Sequence, residues 1–144
     1  MAPTTIAFVL FPHLHLEDLA GPAQVFYEAS NLGNQNFRTV FASMDGIVTS
    51  SQGLALAPQA GMEELSLRKG DMICVPGVDF KSFQEGKLDA IVEQTRDWMW
   101  EQQKKGIFIA KNSVHIRSAL IRVLLFAFTA SSLWSLLSLV ATEK

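Results

Sequence analysis

Two histidines and two carboxylates fall within six residues near the start of the chain: His13, His15, Glu17 and Asp18. Imidazoles at alternate positions beside a carboxylate can present two ligands and a third to a metal ion. Metal sites need three or four converging ligands, however, and no distant partner is identifiable in the sequence. The same residues also fit an exposed loop with two solvated histidines. Asp18 can serve as a general acid/base if its surroundings perturb it. A carboxylate a few residues before Pro22 is equally suited to capping a helix. Glu17, its neighbour, can raise one carboxyl pKa only if the two groups face each other.

Three further places carry reactive side chains. Ser113 and His115 stand two residues apart, a spacing at which side chains in a tight turn seldom meet, and no third orienting group is evident. Cys74 lies inside Met72-Ile-Cys-Val75, where a free cysteine behaves as a small buried hydrophobe rather than an exposed, activated thiol. Trp98-Met-Trp100 reads as helix and core packing before it reads as a ligand cage.

The elements that must position these groups follow from periodicity. The apolar run Thr4 to Leu10 predicts a buried strand entering a loop at Phe11-Pro12. Gly21-Pro22 predicts a helix start, with Ala23 to Ser30 as its body and Gly33 as its end. Asn36 to Ser43 alternates as a second strand, Asp45-Gly46 marks a turn, and Val48 to Ser51 with Leu54-Ala-Leu56 predicts a small hairpin. Asp71 to Val75 is a third buried strand, closed by Pro76-Gly77. Leu88 to Lys104 carries apolar residues at helical spacing and ends near Gly106. Lys105 to Ala110 is a further buried strand. Strands alternating with helices predict an α/β fold, with a parallel sheet covered by helices on both faces and ligands held at the carboxyl ends of the strands. Loops 11–18, 76–80 and 111–116 lie at those ends.

Composition bounds the function. The chain has 144 residues, 49% of them apolar, enough for one domain that hides about two-thirds of its surface. Twelve basic and fourteen acidic residues leave a net charge of -2, with no basic cluster to supply phosphate contacts, so no nucleic-acid binding through this chain is expected. One cysteine cannot form an internal disulfide, and the first residues lack the basic and apolar parts of a signal peptide. A cytoplasmic setting is expected.

Several of these segments together resemble a known family. Val9-Leu-Phe-Pro12, Leu16-Glu-Asp-Leu-Ala-Gly-Pro22, Asp45-Gly46 with Ser50-Ser51 and Gly53-Leu54, and Val75-Pro-Gly77 stand in the order seen in the ThiJ/PfpI superfamily of class I glutamine amidotransferase-like proteins. Within it the chain is similar to the isonitrile hydratase-like branch, which shares its domain with the sensory part of some AraC-type regulators. The resemblance spans about residues 4 to 110. It implies a flavodoxin-like fold, a homodimer, no cofactor, a small-molecule substrate or ligand, and hydration of an isonitrile to an N-substituted formamide. By this resemblance Asp18 matches the acid/base aspartate and Gly77 a backbone donor facing the reacting carbon. Val78 stands where the family usually has a second glycine.

The family's nucleophile is a cysteine at a strand-to-helix turn, where helix and backbone N–H groups lower a thiol's pKa. Aligning without gaps from Ile107 places Ser113 on that cysteine, Val114 on the following threonine and His115 on the glycine. Leu124-Leu125 and Ala130-Ser-Ser-Leu-Trp134 keep the family's spacing, with Leu133 in place of a histidine. All nine glycines and five prolines lie in the first 106 residues, although the family's turn needs glycine. Residues 111–144 therefore read as a divergent, apolar helical tail and the sheet as truncated at its C-terminal side. A reading-frame or exon change, a decayed gene and a diverged paralogue all fit. Negligible hydratase activity is expected, and a ligand-sensing or dimerising module is the alternative. Val123 to Ala141 forms 19 consecutive uncharged residues, long enough for a membrane span, yet Ser131, Ser135, Ser138 and Thr142 recur as one polar stripe, as in a soluble helix or a membrane-helix interface.

Overall fold

A computed structural model describes residues 2–33 and 36–112. In chain order the elements are β1 Thr4–Val9, α1 Leu16–Leu32, β2 Phe37–Ser43, β3 Val48–Thr49, β4 Ala55–Leu56, β5 Ala60–Gly61, a 3₁₀ turn Met62–Glu64, β6 Met72–Pro76, α2 Phe80–Gln84, α3 Asp89–Lys104 and β7 Phe108–Asn112. Five strands form one sheet in the order β5-β2-β1-β6-β7, every pairing parallel. The short β3 and β4 make a separate antiparallel hairpin, as the turn residues predict.

The apolar run of β1 is buried on both faces, which is what a central parallel strand requires. Its residues divide by alternation. Ala7 and Val9 join Ile73, Leu88, Ile91, Met99 and Ile109 in a core beneath α3. Ile6 and Phe8 join Leu14, Leu19 and Cys74 in a second core beneath α1, with Phe26 and Phe41 packed against it. Phe8 stacks on Phe41 at 5.3 Å and meets Phe26 edge-on at 6.4 Å. The flavodoxin-like α/β fold with a helix on each face is therefore the observed one.

The α3 periodicity is realised: Ile91, Thr95, Met99 and Gln102 form its buried stripe. Trp98 packs against the core while Trp100 is half exposed. Past the helix end, Gly106 takes φ +81°, and a Cβ there would lie 3.2 Å from the Lys69 side chain. Glycine relieves both constraints. Gly33 ends α1 as expected, its N–H donating to the Ala29 carbonyl at 3.1 Å.

The start of α1 corrects the sequence reading. The helix begins at Leu16, six residues before Pro22, which sits inside it. Asp18 therefore occupies the first helical turn rather than a loop. Pro22 offers no N–H to the Asp18 carbonyl and crowds it, at a cost of about 3 kcal/mol. Leu16, Leu19, Ala23 and Phe26 form one stripe on the sheet at helical spacing, and burying such side chains contributes roughly 1.5–3 kcal/mol each. Glu17 and Asp18 also sit where the helix dipole favours negative charge. Packing of the stripe outweighs the missing bond.

Candidate functional site

In this strand order the chain leaves β1 towards β2 on one side and later returns to β6 on the other. The carboxyl ends of β1 and β6 thus flank the point where the winding reverses, the position at which open α/β sheets form a ligand crevice. The loops there are stitched together by backbone bonds. His15 N–H donates to the Gly77 carbonyl and Asp79 N–H to the His13 carbonyl, both at 2.8 Å. Leu14 and Val78 form an antiparallel bridge between them. The hairpin closes the third side, with His13 N–H donating to Thr49 O at 2.7 Å and Ser51 N–H to Leu14 O at 2.9 Å. His13 holds φ +61° in this arrangement, a left-handed conformation that histidine enters more readily than most residues.

The imidazole of His15 has a defined partner. Its Nδ1 lies 3.0 Å from Ser51 Oγ, and that hydroxyl donates to the Leu14 carbonyl at 3.1 Å. A hydroxyl has one hydrogen to give. When that hydrogen goes to Leu14, Ser51 accepts from the ring, and a neutral His15 then carries its hydrogen on Nδ1 and its lone pair on Nε2.

Asp79 is a carboxylate at these loops that the sequence reading did not single out. It caps α2, accepting from Ser82 N–H at 2.8 Å. The Ser82 backbone N–H foremost, then the Ser82 hydroxyl, and then His15 and His13 hold its carboxyl below the usual carboxylate range. An aspartate three residues before a serine, just after Pro76-Gly77, carried the capping signal.

The expected site residues fare differently. Gly77 is buried at the crevice, and its carbonyl is committed to His15. Asp18 is half exposed on α1, and its carboxylate takes part in no hydrogen bond or ion pair among the described residues. Val78, in the place of a second glycine, packs against both cores. Cys74 sits in β6, only 8% exposed, and burial pushes its thiol up to about 12. No group of three histidine, cysteine or acidic side chains able to hold a metal occurs among the described residues. None of the described helices is long and apolar enough to cross a membrane. Ser113, His115 and the 123–141 stretch lie outside the described residues.

No family model matches the chain, and no curated protein matches it in sequence. Solved structures match it in fold. A ThiJ/PfpI family protein from Pseudomonas syringae superposes with a TM-score of 0.60 at 23% identity, over 77% of this chain and 42% of that one. Drosophila melanogaster DJ-1beta does so with a TM-score of 0.59 at 18% identity, over 86% and 60%. An AraC family transcriptional regulator from Pseudomonas putida gives 0.53 at 22% identity, over 76% and 55%. The chain spans about half the length of these structures. It has the flavodoxin-like α/β fold that ThiJ/PfpI and DJ-1 proteins share.

Proposed function

We propose that this chain is a ThiJ/PfpI-superfamily domain of the isonitrile hydratase-like branch that binds a small molecule at the crevice without turning it over. The observation that carries this reading is the junction of the two motif-bearing loops, His15 N–H to Gly77 O, at the switch point of the sheet. That junction brings Phe-Pro and Pro-Gly loops, which lie far apart in sequence, to one ligand-binding mouth. Hydration of an isonitrile by the family route needs a thiolate that attacks the terminal carbon and a group that protonates it. The chain's single cysteine is buried within the sheet and its thiol is pushed up to about 12, so the covalent step has no carrier there. His15, Asp18 and Asp79 remain as groups that can orient or exchange protons with a bound ligand.

The test is an assay of the full chain with a small alkyl isonitrile, following N-alkyl formamide by mass spectrometry, together with thermal-shift screening of the same compounds. Binding without formamide above the uncatalysed background is the expected result. Turnover that survives Ser113→Ala and Cys74→Ala but is lost in Asp18→Asn would overturn it.

A second reading is a ligand-sensing module, favoured by the fold similarity to an AraC family regulator. In that case the ligand shifts the association of two copies, and sedimentation velocity with and without ligand reads it directly.

A further inference from the structure

Six aspartates occur in the chain, and only Asp45 is followed by glycine. The other five are constrained. Asp18 lies in the first turn of α1, Asp89 opens α3, and Asp97 lies within α3 and pairs with Arg96. Asp71 is buried, its two carboxylate oxygens accepting from the N–H groups of Thr5 and Arg68, and Asp79 caps α2. Asp45 instead stands exposed on the turn between β2 and β3, and its carboxylate takes part in no hydrogen bond or ion pair among the described residues.

The residue after it is equally open. Gly46 takes φ +78°, and a Cβ there would meet nothing within 4 Å. Its carbonyl accepts from the buried Ser43 hydroxyl, whereas its N–H has no acceptor among the described residues. A free carboxyl therefore neighbours a free amide nitrogen, on a turn whose glycine has no side chain to hinder their approach.

Closure of that pair needs no partner molecule. Gly46 N attacks Asp45 Cγ and an N–Cγ bond forms. The Cγ–O bond breaks, and the oxygen leaves as water with the N–H proton and the carboxyl proton. The product is a five-membered succinimide. Water adding at Cγ breaks the new bond and restores aspartate. Water adding at the main-chain carbonyl breaks the original peptide bond instead, and the chain then runs through Cβ and Cγ as isoaspartate. The water lost is regained, so the mass is unchanged.

We propose that Asp45 is a modification site at which closure onto Gly46 accumulates isoaspartate and loosens the β3–β4 hairpin from the crevice loop. The added backbone carbon falls just before β3, and the hairpin it feeds closes one side of the crevice. Thr49 O accepts there from His13 N–H, and Ser51 N–H donates to Leu14 O. The inference concerns the turn and stands whether or not the crevice takes a ligand.

The experiment is incubation of the full chain at neutral pH in ¹⁸O-water, followed by trypsin digestion in ordinary water and electron-transfer mass spectrometry. Asp45 is the only aspartate between Arg38 and Arg68, so its peptide reports on it alone. Each passage through the succinimide adds one ¹⁸O, and the fragment ions separate isoaspartate from aspartate. Both are expected to rise with time in this peptide, several-fold above every other aspartate-bearing peptide. Asp45→Glu, whose ring would need one more member, is expected to abolish both. Hydrogen exchange of residues 47–56 is expected to be faster in the aged chain than in the fresh one, and unchanged by ageing in Asp45→Glu. Label absent from the Asp45 peptide, or no higher there than elsewhere, overturns the proposal. Isoaspartate at Asp45 with unaltered exchange overturns its link to the hairpin. Should Asp45→Glu fail to fold, the peptides and exchange of the unaltered chain decide alone.

Discussion

His15 Nδ1 and Ser51 Oγ meet at 3.0 Å although 36 residues separate them. The contact exists because the hairpin folds back over the end of β1, and it ties the His15 ring to the hairpin. Neutral His15 is expected as the Nδ1–H tautomer in long-range ¹H–¹⁵N correlation spectra. Ser51→Ala removes the acceptor and is expected to shift the ring towards the Nε2–H form that dominates in free histidine. An unchanged spectrum in that variant would remove the assignment.

Asp79 illustrates a pH effect with a definite sign. Its carboxyl is lowered from 3.8 by the Ser82 N–H, so the ionised form is the one the fold prefers. The stabilisation is present above the unfolded value and lost as pH falls through the lower, folded value. Asp79→Ala is therefore expected to unfold at a lower temperature than the parent at neutral pH, and the gap is expected to close as pH drops below 3.8. A gap that is constant down to the acid limit would show that capping charge contributes nothing.

The Cys74 thiol is expected to be inert in the folded chain. With its pKa pushed up to about 12, roughly one thiol in ten thousand is ionised at pH 8. Labelling by a disulfide reagent is then governed by opening of the sheet, and its rate is expected to rise in step with urea. Rapid stoichiometric labelling in buffer would contradict the burial of β6.

Thr95 is buried in α3, and its Oγ1 has no hydrogen-bond partner among the described residues. An unpaired buried hydroxyl costs free energy, so Thr95→Val is expected to raise stability by about 1 kcal/mol. Chemical denaturation measures this. Destabilisation by a similar amount would mean that the hydroxyl has a partner.

Asp71 holds the start of β6 against β1. It accepts from Thr5 N–H at 2.8 Å and from Arg68 N–H at 2.9 Å, and it is 2% exposed. Asp71→Ala leaves the buried Thr5 donor without its acceptor and is expected to cost about 2 kcal/mol in urea unfolding. A loss well below that would mean that water replaces the carboxylate.

Much of this architecture is written in local pattern. The apolar runs at Thr4, Asp71 and Lys105 and the alternation from Asn36 to Ser43 identify four strands to within about three residues, because strand burial follows the two-residue repeat or, in a central parallel strand, needs uninterrupted apolar residues. The stripe from Leu88 to Lys104 identifies α3, because a helix buries every third or fourth residue. The turn glycines mark where the chain must adopt a positive φ.

The site itself was decided by tertiary structure. Pro22 signals a helix start locally, but α1 begins at Leu16 because the sheet rewards burial of Leu16 and Leu19, a gain that no local signal contains. The pairing of His15 with Ser51 and the junction of His15 with Gly77 both join segments remote in sequence. Such contacts arise from the order in which parallel strands stack, β2-β1-β6-β7. Sequence by itself determined which segments become buried, since burial follows from side-chain chemistry. Only the fold decided which side chains face one another, since that follows from the sheet's winding.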